Sequence, residues 1–167
     1  MGKKLVKNIV ECFSPQELES ICRAIADTST GLSGTEIGYI LQQANIPDVD
    51  PKITKWKRLF NALVTEQNEQ QYGNHVISFL HHSMDPVKHV NIKEWYETKR
   101  EEINLVLAFH GLNMGEDGKI RRTIIARTIS EAEQRADELK NKLKNRNVHQ
   151  DVLKFCKAEL LTNHYFH

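Results

Sequence analysis

Ser14-Pro15-Gln16-Glu17-Leu18-Glu19-Ser20-Ile21-Cys22-Arg23-Ala24-Ile25-Ala26 is the stretch on which the fold class turns. Leu18, Ile21, Cys22, Ile25 and Ala26 recur at the three- and four-residue intervals of an α-helix, so one face is apolar and the others are polar. The start is marked by three residues. The Ser14 hydroxyl is placed to accept from a free first-turn amide, Glu17 reaches back to complete a capping box, and Pro15 suits a first turn whose amides lack intrahelical acceptors. The same signal returns at Ser33 and Glu36, ahead of the inward positions Ile37, Ile40, Leu41 and Ala44.

Reading outward from this stretch, the helical period dominates. Leu5, Val6, Ile9, Val10 and Phe13 predict a helix upstream, and residues 28–34 predict a loop of small and polar side chains. Asn45-Ile46-Pro47-Asp48 with Asp50-Pro51 ends the next helix. Trp56, Leu59, Phe60, Leu63 and Val64 stripe another, and the polar run 66–74 predicts a flexible connection after it. Val76, Ile77, Leu80 and Met84 mark a further helix, stopped near Asp85-Pro86. Residues 91–110 give a longer one along Trp95, Ile103, Val106 and Leu107, with Gly111 where a left-handed cap belongs.

Then the period changes. Leu112, Met114, Ile120, Arg122 and Ile124 alternate around Gly115-Glu116-Asp117-Gly118, a hairpin signal. Ser130 with Glu133 opens a helix with Ala132, Ala136, Leu139 and Leu143 inward, and Val148, Val152, Phe155, Cys156 and Leu160 stripe the last. The expected fold is mainly α, about eight helices with one small β-hairpin near residues 112–125. The expected organisation is a helical domain over 1–110, a hairpin connector over 111–130 and a final helical region over 131–167.

Composition restricts the function classes. Hydrophobic residues make up 40% and charged residues 27%, enough apolar content for a packed core. Net charge is +1, so no global field marks the whole chain for a polyanion. The charge is uneven: residues 1–50 carry four basic and seven acidic side chains, net −3, whereas residues 119–167 carry eleven and six, net +5. No run approaches about 20 apolar residues, so no membrane contact is expected. Cys12, Cys22 and Cys156, an odd and sparse set at apolar helix positions, argue for reduced core thiols and a cytoplasmic setting.

His75, His81, His82 and His89 cluster, but adjacent histidines on a helix point about 100° apart and share no ligand geometry. His164 and His167 stand three apart without a cysteine or carboxylate at ligand spacing, so no metal and no cofactor is expected. Glu101-Glu102 reads as a solvated helix face and Glu116-Asp117 as turn chemistry, so no catalytic residues are assigned. Two basic groups fit a nucleic-acid backbone, RNA or DNA: Lys55, Lys57 and Arg58 around Trp56, and Lys119, Arg121 and Arg122 (with Arg127) on the hairpin. Lysines and arginines on an edge strand also serve simply to keep it soluble.

The final helix stops on Tyr165-Phe166-His167 with no polar tail, which predicts either a chain that continues or an end that docks on a partner through Leu160, Tyr165 and Phe166. Glu131-Ala132, Arg135-Ala136, Leu139, Val148-His149-Gln150-Asp151-Val152-Leu153, Cys156, Glu159-Leu160-Leu161 and Tyr165-Phe166-His167 resemble the start of the Ymh family, whose carboxyl-terminal helical domain is similar to HEPN domains. Upstream, Gly31-Leu32-Ser33-Gly34-Thr35-Glu36-Ile37, Ile46-Pro47-Asp48, Lys55-Trp56-Lys57-Arg58-Leu59-Phe60-Asn61-Ala62 and Leu107-Ala108-Phe109-His110-Gly111-Leu112 with Asp117-Gly118-Lys119 resemble an amino-terminal domain of abortive-infection proteins of the AbiJ type.

The resemblance implies a defence-associated protein. It also implies that an Arg, four to six residues, then His would carry ribonuclease chemistry, and no Arg precedes a His at that spacing here. Arg146-Asn147-Val148-His149 is too short, and His164 stands where the pattern has Asn. The leading expectation is therefore a non-catalytic sensor or regulatory region that pairs with itself or with a full-length HEPN-type relative. The alternatives are a nucleic-acid-binding module, a decoy of such a relative, and a ribonuclease using an unrelated pair such as Arg146 with His149 or His164 with His167.

Overall fold

The structure is a computed structural model that describes residues 8–144 of the 167, with side chains as far as Asp137. The expected last helix, the Arg146/His149 and His164/His167 pairs, Cys156 and the interface residues Leu160, Tyr165 and Phe166 lie outside the described residues. The described part is mainly helical: α1 Pro15–Ile25, α2 Gly34–Gln43, α3 Lys55–Gln70, α4 Asn74–Ser83, a 3-10 turn at Pro86–His89, α5 Lys93–Phe109, a hairpin of β1 Leu112–Met114 and β2 Ile120–Arg122, and α6 Ile129–Lys144. It therefore holds six α-helices. The chain divides into two compact units between Lys99 and Arg100, within α5.

In the first unit α1 packs on α3, α2 packs on α3 and α4, and α3 packs on α4. Both capping boxes form: Ser14 Oγ accepts from Glu17 N–H at 3.2 Å while Glu17 accepts from Ser14 N–H at 2.7 Å, and Ser33 with Glu36 repeats the pair at 3.2 and 2.7 Å. The expected stripe of α1 is fully buried, and burial pushes the Cys22 thiol far above its usual range.

Three expectations fail in this unit. The helix predicted through Ile9, Val10 and Phe13 is not formed: residues 8–14 are non-helical. Val10 N–H donates to Asn74 Oδ1 at 2.8 Å and Phe13 N–H to Gln67 Oε1 at 2.8 Å, while Gln67 Nε2 donates back to Phe13 C=O at 2.9 Å and Gly73 N–H to Val10 C=O at 2.8 Å. Side-chain amides thus take the place of a helical ladder, and residues 8–13 become a strap with Val10 and Phe13 as its buried anchors. Cys12, expected inside a helix face, is exposed on this strap. The predicted flexible connection over 66–74 is largely helix, since α3 runs to Gln70 and buries Gln67 so that it can bracket Phe13.

His75, near the start of α4, ties that helix to α3 by an Nε2 contact of 2.9 Å to Leu63 C=O. Burial holds its pKa below the ordinary histidine value, so the folded state keeps the ring neutral while the unfolded chain binds a proton near pH 6.5. The stability it contributes is complete above that pH and declines as pH falls from there toward the folded-state pKa. Urea midpoints are expected to drop between about pH 7 and 5, with a shallower drop in His75→Gln. Equal slopes for the two proteins would remove His75 as the cause.

In the second unit, Gly111 adopts φ +68°, as a left-handed helix end requires, and the chain turns directly into β1. The strands pair antiparallel with Leu112 opposite Arg122 and Met114 opposite Ile120. Gly118 takes φ +74° in the connecting turn, closed by Gly115 N–H to Lys119 C=O at 2.9 Å. Asn104 of α5, buried, accepts from Met114 N–H at 2.7 Å and donates to Met114 C=O at 2.9 Å, the same clamp that Gln67 makes on Phe13. Asn104→Leu leaves Met114 N–H unpaired and its C=O with only the longer bond from Arg100 Nη1 at 3.3 Å, and is expected to cost about 1 to 3 kcal/mol. Hydrogen exchange should accelerate across 112–122 first; unchanged protection there would rule the clamp out. The last described helix starts differently from the expectation at Ser130 and Glu133: Thr128 Oγ1 accepts from Glu131 N–H at 3.1 Å, and Glu131 accepts from Arg127 N–H at 2.7 Å. The cap lies two residues earlier, and Ala132 packs into a small core with Ala108 and Ala126.

Candidate nucleic-acid interface

The basic group at the start of α3 divides into two by geometry. Lys55, Trp56 and Arg58 are half-buried and Lys57 is exposed. Arg58 turns inward. Its Nε and Nη2 form a fork on the Asp48 carboxylate, with Nε at 3.1 Å from Oδ1, and its Nη1 donates to Gly34 C=O at 2.8 Å. The hydrogen bonds that it donates to Asp48 raise the guanidinium pKa further above its usual value, and 12% exposure of its side chain leaves little of it to an external phosphate. A β-carbon at Gly38 would sit 2.8 Å from Arg58 Nη2, so α2 carries a glycine where the guanidinium passes. Arg58 is thus a structural tie between α2, the 46–50 turn and α3.

Trp56 faces the other way and gathers cations. The Arg23 guanidinium of α1 lies 3.9 Å from the Trp56 ring centre and Lys57 Nζ lies 5.6 Å from it, both within cation–π range. Arg23 also pairs with Glu19 at 2.8 Å, an exposed intrahelical contact of small energetic weight. Sequence reasoning missed Arg23. It lies on the polar face of its own helix, and only the packing of α1 on α3 brings it over the indole. α3 has no acidic residue in its first turn and no side-chain cap on its amides, unlike α1 and α2. Positive potential at that end is therefore uncompensated by the helix's own residues.

The hairpin group also divides. Arg121 is held by Asp117 through both terminal nitrogens, with Nη1 to Oδ1 at 3.0 Å, and Asp117 accepts a further bond from Lys119 N–H at 3.1 Å. Burial alone would raise the Asp117 pKa, but the bonds from Arg121 and Lys119 outweigh it and keep the carboxylate low. Asp117, expected only as turn chemistry, thus also neutralises one of the hairpin cations. Lys119 and Arg122 are exposed. The α3 group belongs to the first unit and the hairpin group to the second, so each stands as its own surface.

The remaining polar chemistry of the first unit serves a loop. Asp27 accepts from Ser29 N–H at 2.9 Å and from Thr30 N–H at 2.7 Å, bonds that lower its pKa. The Trp95 indole N–H donates to Thr30 C=O, and the buried Lys99 reaches Thr30 Oγ1 at 3.1 Å. His89, buried, contacts Ser83 C=O at 2.7 Å through Nε2 and lies against Trp95 and Tyr96. Of the four clustered histidines, His75 and His89 are thus core residues, and no group of three metal-ligating side chains occurs among the described residues. Among the described residues no helix is long and apolar enough to cross a membrane. No family model, no curated protein and no solved structure matches the chain.

Proposed function

We propose that the chain is a non-catalytic sensor or regulatory region of an abortive-infection-type defence protein, acting through a second copy or a HEPN-like helical effector. One observation carries this reading. Three of the stretches on which the resemblance rests, residues 31–37, 46–48 and 55–62, meet at a single guanidinium, Arg58, through Gly34 C=O and the Asp48 carboxylate. Leu32, Ile37, Ile46, Leu59 and Ala62 of the same stretches are buried. The shared residues are therefore spent on holding helices in register, as expected of a recognition scaffold rather than of a reactive centre.

The reading is tested in cells carrying the native locus. Phage plating is compared between the intact locus and one with this coding region deleted in frame. Restricted plaque formation with the region present, and its loss on deletion, is the expected outcome. Equal plating across a broad phage panel would overturn it.

A further inference from the structure

Sequence placed Lys55, Trp56, Lys57 and Arg58 in one group; the structure removes Arg58 from it and adds Arg23 from another helix. What results is an indole flanked by two cations, with Lys55 beside it, at a helix end whose first turn carries no acid. We propose that this surface, Arg23, Lys55, Trp56 and Lys57, binds single-stranded nucleic acid, the cations on the phosphates and the indole against a base. The proposal is independent of the defence reading, since it concerns a ligand and not a biological outcome.

Three physical points support this partner, and the first sets it apart from an acidic protein segment. First, the cations surround an aromatic ring, and base stacking on an aromatic side chain is worth about 1–3 kcal/mol per base and is indifferent to sequence. An acidic peptide gains no comparable contact. Second, Lys57 is exposed and Arg23 is half-exposed, its guanidinium lying over the ring, so phosphate can be met without desolvating a buried charge. Third, the Arg23–Glu19 contact is exposed and of small energetic weight, so the guanidinium can turn to a backbone phosphate at little cost. A duplex offers its phosphates but keeps its bases stacked away from Trp56, so single strands are preferred.

The test uses the full chain and a fluorescein-labelled oligouridylate of about 20 nucleotides at low ionic strength. Binding is expected by anisotropy, with tryptophan emission quenched. The logarithm of the affinity should fall against that of salt with a slope of about −2, as for three phosphates on a single strand. K55Q/K57Q is expected to weaken binding about tenfold and to flatten that slope, and Trp56→Leu to abolish the quench. Both variants alter side chains that are exposed or half-buried, and their urea midpoints should match the parent, which separates lost binding from lost folding. A Lys119→Gln/Arg122→Gln chain, altered on the other basic surface, should bind as the parent does. Absence of binding at low salt overturns the proposal. So does undiminished binding by K55Q/K57Q, or equal competition by polyglutamate.

Discussion

Replacing Gln67 by leucine is expected to destabilise the first unit by about 3 kcal/mol, although the new side chain is apolar and of similar size. The reason lies in what Gln67 holds. Its amide brackets Phe13, accepting from the N–H at 2.8 Å and donating to the C=O at 2.9 Å, 54 residues away in sequence. Both groups are buried, and leucine removes both bonds at about 1–3 kcal/mol apiece, against a small gain from apolar burial. Urea unfolding measures the loss, and the Phe13 amide should be among the first to lose hydrogen-exchange protection. The second variant, Gln67→Glu, discriminates the mechanism. A carboxylate still accepts from Phe13 N–H but faces Phe13 C=O without a donor, whereas its protonated form has an O–H to give. Its deficit relative to the parent should therefore shrink as pH falls. A deficit that is the same at every pH would show that packing, not the paired hydrogen bonds, sets the cost.

Gly31→Ala is the second substitution with a large expected effect, about 3 kcal/mol or more. A β-carbon at Gly31 would lie 2.3 Å from Asp27 N and 2.7 Å from Asp27 O, contacts with backbone that no rotamer change relieves. The turn must open, and it is a crowded one. Gly31 N–H donates to Asp27 C=O at 3.0 Å and Leu32 N–H to Ile25 C=O at 2.9 Å, which ends α1 and seats Leu32 in the core. Thr30, one residue earlier, receives Trp95 and Lys99. Thermal unfolding followed by circular dichroism measures the loss, and tryptophan emission should shift to the red as Trp95 is released. If the variant does not fold, Gly31→Ala in a chain stabilised by an osmolyte still reports the same red shift. A parent-like melting curve would mean that the turn relaxes freely, and the argument from the close approach would fail.

Much of the helical content was legible because it depends on nearest neighbours. Ser14 with Glu17 and Ser33 with Glu36 are complete local devices, and the stripe from Leu18 to Ala26 needs only a core to face. Gly111 and Gly118 likewise announced a left-handed turn that other residues adopt at a cost. Local signals misled where a distant group competed for the same backbone. Ile9, Val10 and Phe13 have helical spacing, yet the amides of Val10 and Phe13 are claimed by Asn74 and Gln67, more than fifty residues on. Gln67 itself continues the i, i+4 series of Leu59 and Leu63, so a polar residue on an apolar stripe was the available sign of a buried clamp.

The candidate interface divides in the same way. Sequence alone determined that Lys55, Trp56, Lys57 and Arg58 lie together and that Lys119, Arg121 and Arg122 lie on a hairpin, because adjacency and alternation are properties of the local chain. Only the tertiary structure decided which of those cations are committed. Arg58 is spent on Asp48 and Gly34, Arg121 on Asp117, and Arg23 is brought to Trp56 from a helix that shares no local pattern with it. A guanidinium is recognised by geometry as well as charge, and where its five donors find acceptors is set by which backbones and carboxylates packing places within 3 Å.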